Sequence, residues 1–74
     1  MEGKRVGGFR TGGELYQIME VPDHTYGYVW KIYLIPDNPE EEPEQIYPTI
    51  YREDAVEVFV QNLIDSNIEY DRNL

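Results

Sequence analysis

Apolar and polar positions alternate along this chain in a way that separates strands from one helix. In "ELYQIMEV" (Glu14–Val21) the period is two. Leu15, Gln17, Met19 and Val21 share one face, and Tyr16, Ile18 and Glu20 share the other. "PDHT" (Pro22–Thr25) supplies turn residues. "YGYVWKIYLI" (Tyr26–Ile35) is rich in aromatic and β-branched residues and predicts the next strand. Tyr26, Tyr28, Trp30, Ile32 and Leu34 line one of its faces; Gly27, Val29, Lys31, Tyr33 and Ile35 line the other. Few of these positions are polar, which marks the central strand. "EQIYPTIY" (Glu44–Tyr51) reads as a third strand. Pro48 cannot donate to a ladder, so this strand is an edge or carries a bulge.

The period then changes. In "REDAVEVFVQNLIDSN" (Arg52–Asn67), Ala55, Val56, Phe59, Val60, Leu63 and Ile64 fall on one broad face at 100° per residue. Glu53 and Asp54 occupy the first turn, where the helix dipole favours anions. Asn67 suits a left-handed stop, with Ile68 folding back on the last turn. The order strand, strand, strand, helix with short links predicts an α+β fold. It is a small antiparallel sheet of three or four strands, a meander, with one C-terminal helix packed on one face.

Residues 1–74 form a single domain on this reading. Residues 1–13 are Gly-rich and read as flexible or turn-rich, with room for a short strand around Val6–Arg10. The tail 69–74 adds a short strand or frays. The chain lacks cysteine, so neither disulfides nor thiolate metal sites assist a thin core. Seven Tyr, two Phe and one Trp point to a folded domain, because disordered chains are poor in aromatics. No apolar run approaches a membrane span, and "MEGKRVGGFR" lacks the apolar stretch of a signal peptide. A soluble, cytoplasmic protein is the expectation.

Candidate chemistry is sparse. Ser66 and His24 are the sole serine and histidine, one at the helix end and one in a turn, so a catalytic triad is not expected. "GGFRTGG" (Gly7–Gly13) resembles a phosphate loop but lacks the Gly-Lys-Ser/Thr ending, and reads as a flexible lead-in or a hairpin turn. "DNPEEEPE" has neither the alternating acids nor the glycine of a calcium loop. The expectation is a non-enzyme with no catalytic residue, metal or cofactor.

Charge changes the picture. The net charge is −9. Three of the six bases (Lys4, Arg5, Arg10) lie in the first ten residues. From Ile32 to Asp71, eleven acids face the single base Arg52, leaving −10. Such a field repels nucleic acid and anionic membranes and draws in basic proteins. The acids gather in two places. The Pro-stiffened segment "IPDNPEEEPEQIYP" (Ile35–Pro48) presents Asp37, Glu40, Glu41, Glu42 and Glu44, and its four prolines predict a semi-extended arm. The outward helix face presents Asp54, Glu57, Gln61 and Asp65, with Val58 exposed between them and no Lys or Arg at the helpful spacing. Glu57, Gln61 and Asp65 form a row about 12 Å long at 1.5 Å per residue, the length scale of a few phosphates on a DNA strand. These ten residues are the candidate partner-binding set.

In size, acidity, absence of cysteine and architecture, the chain resembles the phage-encoded small acidic DNA-mimic inhibitors. The likeness is one of class and carries no motif. Those proteins present carboxylates in place of phosphates to restriction enzymes, repair glycosylases, CRISPR effectors, RNA polymerase and histone-like nucleoid proteins. The resemblance implies a viral protein that occupies the nucleic-acid surface of a basic host protein, with a histone-like nucleoid protein as the expected target, and that does not itself bind nucleic acid. The alternative is a small interaction module that uses the edge strand Glu44–Tyr51 or forms a homodimer through Val58.

Overall fold

Gly12 and Gly13, with φ of +60° and +79°, make the two-residue turn that joins the first two strands, and Thr11 pairs with Glu14 across it. Positive φ at both turn positions matches the right-handed twist of the flanking strands. The computed structural model describes residues 3–74. It contains β1 (Lys4–Thr11), β2 (Glu14–Asp23), β3 (Gly27–Ile35), β4 (Glu44–Gln45), α1 (Glu53–Asp65) and β5 (Tyr70–Asp71). The strands form one antiparallel sheet in the order β4-β3-β2-β1-β5. The architecture is α+β, as the pattern predicts, with five strands rather than three or four. The second turn is closed by Asp23, whose carboxylate accepts the N–H groups of Thr25 and Tyr26, both at 3.0 Å.

The added strands come from the chain's two ends. The Gly-rich N-terminus, read as flexible or turn-rich with room for a short strand around Val6–Arg10, is a full strand over Lys4–Thr11; Met1 and Glu2 lie outside the described residues. Gly7 and Gly8 are buried inside β1 because other groups take the place of their side chains. A Cβ on Gly7 would stand 2.3 Å from the Tyr70 hydroxyl. A Cβ on Gly8 would stand 2.7 Å from the Tyr16 carbonyl and 2.8 Å from Leu74 Cβ. The tail closes over β1 through these two glycines, on opposite faces of the sheet.

The predicted third strand is cut short. Tyr33 pairs with Gln45, and Trp30 pairs with Ile50. Between those pairs Ile46–Thr49 stand opposite only Lys31 and Ile32, so the edge bulges outwards at Pro48. The Gln45 amide holds the bulge by donating to the Tyr47 carbonyl (3.1 Å) and to Thr49 Oγ1 (2.9 Å). Only Glu44 and Gln45 remain as regular strand. The expected strand Glu44–Tyr51, which the alternative reading offers for strand addition, is therefore shorter than predicted, and a bulged, proline-bearing edge offers little ladder to a partner.

The core lies between the sheet and α1. Phe9, Ile18 and Ile32 are fully buried and meet Trp30, Val56 and Leu63. Phe59 and Val60 pack half-buried against this cluster. The seam is narrower than the six-residue face that the period predicts. Ala55 and Ile64 are exposed, because each is one residue, about 100°, away from the buried Val56 or Leu63. Helix α1 ends as expected. Asn67 adopts φ 60°, Ile68 N–H donates to the Leu63 carbonyl (2.9 Å), and Asn67 N–H donates to that of Ile64 (3.0 Å). Val29, Met19 and Val21 belong to the opposite sheet face, which no helix covers among the described residues.

Candidate functional site

The acidic segment is a folded turn, not the semi-extended arm that its prolines predict. Asn38 organises it. Its carbonyl accepts the Glu41 N–H at 3.1 Å and its side-chain oxygen accepts the Glu40 N–H at 3.0 Å. Pro39 sits at the second position of this turn, where its fixed φ is suited. The turn directs Asp37, Glu41, Glu42 and Glu44 around a hollow of about 370 Å³, which Glu14 completes from the start of β2. Glu40 is exposed nearby and does not line the hollow. Among the described residues, no group of three or more acid or histidine side chains is placed to hold a metal ion. The hollow is a concentration of negative potential rather than a coordination site.

The helical acids divide. Asp54 is engaged: Arg52 Nη2 lies 2.8 Å from its Oδ2, in a pair open to solvent. Asp65 accepts the Gln61 amide at 3.0 Å, which fixes part of the row without neutralising it. Val58 is 60% exposed and faces away from the sheet.

Glu57 and Gln61 lie on the flank of α1 and line a groove of about 560 Å³ between the helix and the strands. Glu53 joins them on the helix wall. The opposite side carries Lys4 and Arg5 from β1 and Arg72 from the tail, with Glu20 beside Lys4 in the sheet register. Val6, Trp30, Val56 and Val60 supply the apolar lining. Tyr70 closes one side, its hydroxyl donating to the Val6 carbonyl at 3.3 Å. Burial pushes the Tyr70 phenol above its ordinary value, and the charge of Arg72 acts in the opposite direction.

The ten candidate residues thus occupy two regions with no lining residue in common. One is the acid-lined hollow at the end of β3. The other is the helix, whose outer face carries Asp54, Val58 and Asp65 and whose flank opens on a mixed-charge groove. No family model, curated protein or solved structure matches this chain. Its surface chemistry is the guide to function. No helix among the described residues is long and apolar enough to cross a membrane.

Sequence reasoning missed Lys4, Arg5, Glu20, Trp30 and Arg72 as neighbours of the helix flank. Their signal was weak. The bulge at Val6 shifts the β1–β2 register, and Arg72 sits in a six-residue tail whose path no pattern specifies. Glu14 was also missed as a companion of the loop acids. It was legible in principle, since an antiparallel hairpin brings the start of β2 beside the end of β3, where Leu15 pairs with Ile35.

Proposed function

We propose that this protein is an acidic DNA mimic. It binds the nucleic-acid surface of a basic DNA-binding protein, such as a histone-like nucleoid protein, and displaces DNA. It acts by occupancy and not by catalysis, in the cytoplasm of the host that supplies the target. The observation that carries this reading is the unbalanced acidic surface. Of the eleven acids between Ile32 and Asp71, only Asp54 has a cationic partner among the described residues. All eleven are exposed. Solubility would be served by interspersed charges of both signs. Carboxylates left without partners are instead free to meet the Lys and Arg side chains that ordinarily contact phosphates, and a target that reads the DNA backbone is the kind such a surface deceives.

The test is competition. A labelled duplex is bound to a purified histone-like protein, and this protein is titrated in at two salt concentrations. Displacement at low salt that fades steeply with added salt is expected. Glu41→Lys combined with Glu42→Lys should weaken displacement by about tenfold, because charges at a binding surface tune association strongly. Glu69→Lys, an equally exposed acid outside the candidate set, should matter much less. Direct binding of this protein to naked duplex DNA would end the proposal, as would a failure to displace DNA at low salt.

A further inference from the structure

The groove beneath α1 breaks the charge pattern of the molecule. Three of the six bases in the whole chain, Lys4, Arg5 and Arg72, line it. They share it with Glu20, Glu53 and Glu57, yet among the described residues none of these six lies within ion-pairing distance of an opposite charge. A groove that gathers both signs, leaves them out of ion-pairing contact and is lined between them by Trp30, Val56 and Val60 is poorly explained as a solvated surface. Opposite charges that face each other across water gain little, whereas a ligand that reaches both walls satisfies each and covers the apolar lining. We infer that this groove binds a short extended peptide segment in which an apolar residue is flanked by one basic and one acidic side chain.

The dimensions fit. Glu53, Glu57 and Gln61 follow one another at one-turn spacing, so the helix wall runs about 12 Å at 1.5 Å per residue. An extended chain advances about 3.3 Å per residue, so that wall spans three to four residues. The volume, about 560 Å³, is within the range of small-ligand sites, roughly 300–1,000 Å³. The apolar residue sits over Trp30 and Val60. The basic side chain meets Glu53 and Glu57 on the helix wall, and the acidic one meets Arg72 and Lys4 on the strand wall. The selectivity differs from that of the acidic hollow, which accepts cations alone. The site is therefore independent of the DNA-mimic reading.

Trp30 is the only tryptophan and lines the groove, so its fluorescence reports a ligand bound there. Four end-blocked tripeptides serve as probes: acetyl-Lys-Leu-Glu-amide, the all-basic Lys-Leu-Lys form, the all-acidic Glu-Leu-Glu form and the neutral Gln-Leu-Gln form. The mixed peptide should produce a saturable change in Trp30 emission and bind about three- to tenfold tighter than the neutral one, as expected from two exposed ion pairs. Glu57→Gln and Arg72→Gln should each remove part of that preference. Glu57→Lys should turn the preference towards the all-acidic peptide, an outcome that damage to the fold would not produce. The inference fails if the all-basic peptide binds best, since the groove would then be an extension of the general acidic field. It fails equally if no peptide gives a saturable change while the variants melt like the parent.

Discussion

Replacing Gly7 by alanine puts a methyl group where the tip of the Tyr70 ring now lies. The added Cβ would be 2.3 Å from the hydroxyl oxygen, 2.5 Å from Cζ and 2.8 Å from Cε1. No Cβ tolerates such distances, so the ring must swing away. Three contributions set the outcome. Forcing a methyl group into a filled space costs about 1–3 kcal/mol. Moving the ring breaks the hydroxyl's bond to the Val6 carbonyl, about 1 kcal/mol net. Against these, alanine is favoured over glycine inside a strand by about 0.5–1 kcal/mol. The parent should therefore lose about 1–3 kcal/mol, which for a chain of this size lowers the melting temperature by about 5–20 °C.

The sign should reverse once the ring is gone. In a Tyr70→Ala background the three close contacts of the methyl group are gone and the strand preference dominates, so Gly7→Ala should stabilise by about 0.5–1 kcal/mol. The coupling in this double-mutant cycle is on the order of 2–3 kcal/mol, towards the upper end for residues in contact. Tyr70→Phe is an informative third background. It removes the 2.3 Å contact but leaves Cζ at 2.5 Å, so it should relieve little. Urea melts of the single and double variants give all the required free energies. If Gly7→Ala destabilises equally with and without the Tyr70 ring, the tail does not close over β1 as described, and the burial of Gly7 needs another cause.

Three further outcomes follow from the packing and the charges. Phe9→Ala should cost about 3–5 kcal/mol, as for a fully buried aromatic, while Phe59→Ala should cost distinctly less because Phe59 is only half-buried against Phe9 and Tyr47; thermal melts that rank the two the other way would place the helix seam incorrectly. Tyr70 should ionise above the ordinary tyrosine value, because burial holds its phenol there; its folded form keeps the proton more tightly than its unfolded form, so its contribution to stability is fully present below about pH 10 and is lost as pH rises through the folded value. Ultraviolet titration should therefore show a late phenolate step that Tyr70→Phe abolishes, and persistence of that step in the variant would refute the assignment. Salt at 0.5 M, roughly, should raise the melting temperature at pH 7 by screening the unpartnered acids between Ile32 and Asp71 at a Debye length of only a few ångströms; a melting temperature indifferent to salt would mean that those acids are too dispersed to form a binding surface.

What could be read from the sequence was whatever a local period or a local turn dictates. The strands read at Glu14–Val21 and Tyr26–Ile35, the helix and its Asn67 stop were legible because each is specified within a few residues, although β2 runs on through Pro22 and Asp23 and it, not β3, is the middle strand. The edge was half legible. Pro48 signalled a bulge, but its size depended on the Gln45 side chain reaching across to Tyr47 and Thr49. The first strand was obscured because glycine carries no pattern. Gly7 and Gly8 look like flexible chain until Tyr70 and Leu74, more than sixty residues later, are seen to fill the space they leave. The ten candidate residues were correctly read as exposed, and Asp54, Val58 and Asp65 do share the outer helix face.

The position of Glu57 has a physical lesson. Along the helix it belongs to the acidic row, since Glu57, Gln61 and Asp65 are spaced by four. Four residues advance a helix by 400°, so the row drifts by about 40° at each step. Over two steps that drift separates Glu57, on the flank that opens towards Lys4 and Arg72, from Asp65, on the face turned to solvent. A row that looks uniform in sequence is therefore graded in space: its first member belongs to a groove of mixed charge and its last to an acidic exterior. Charge reversal can separate these environments. Asp65→Lys should weaken displacement of DNA from a basic protein and leave peptide binding at Trp30 unchanged. Glu57→Lys should alter the peptide preference with a smaller effect on displacement. Parallel effects of the two substitutions in both assays would mean that the row acts as one surface, and that the groove has no separate role.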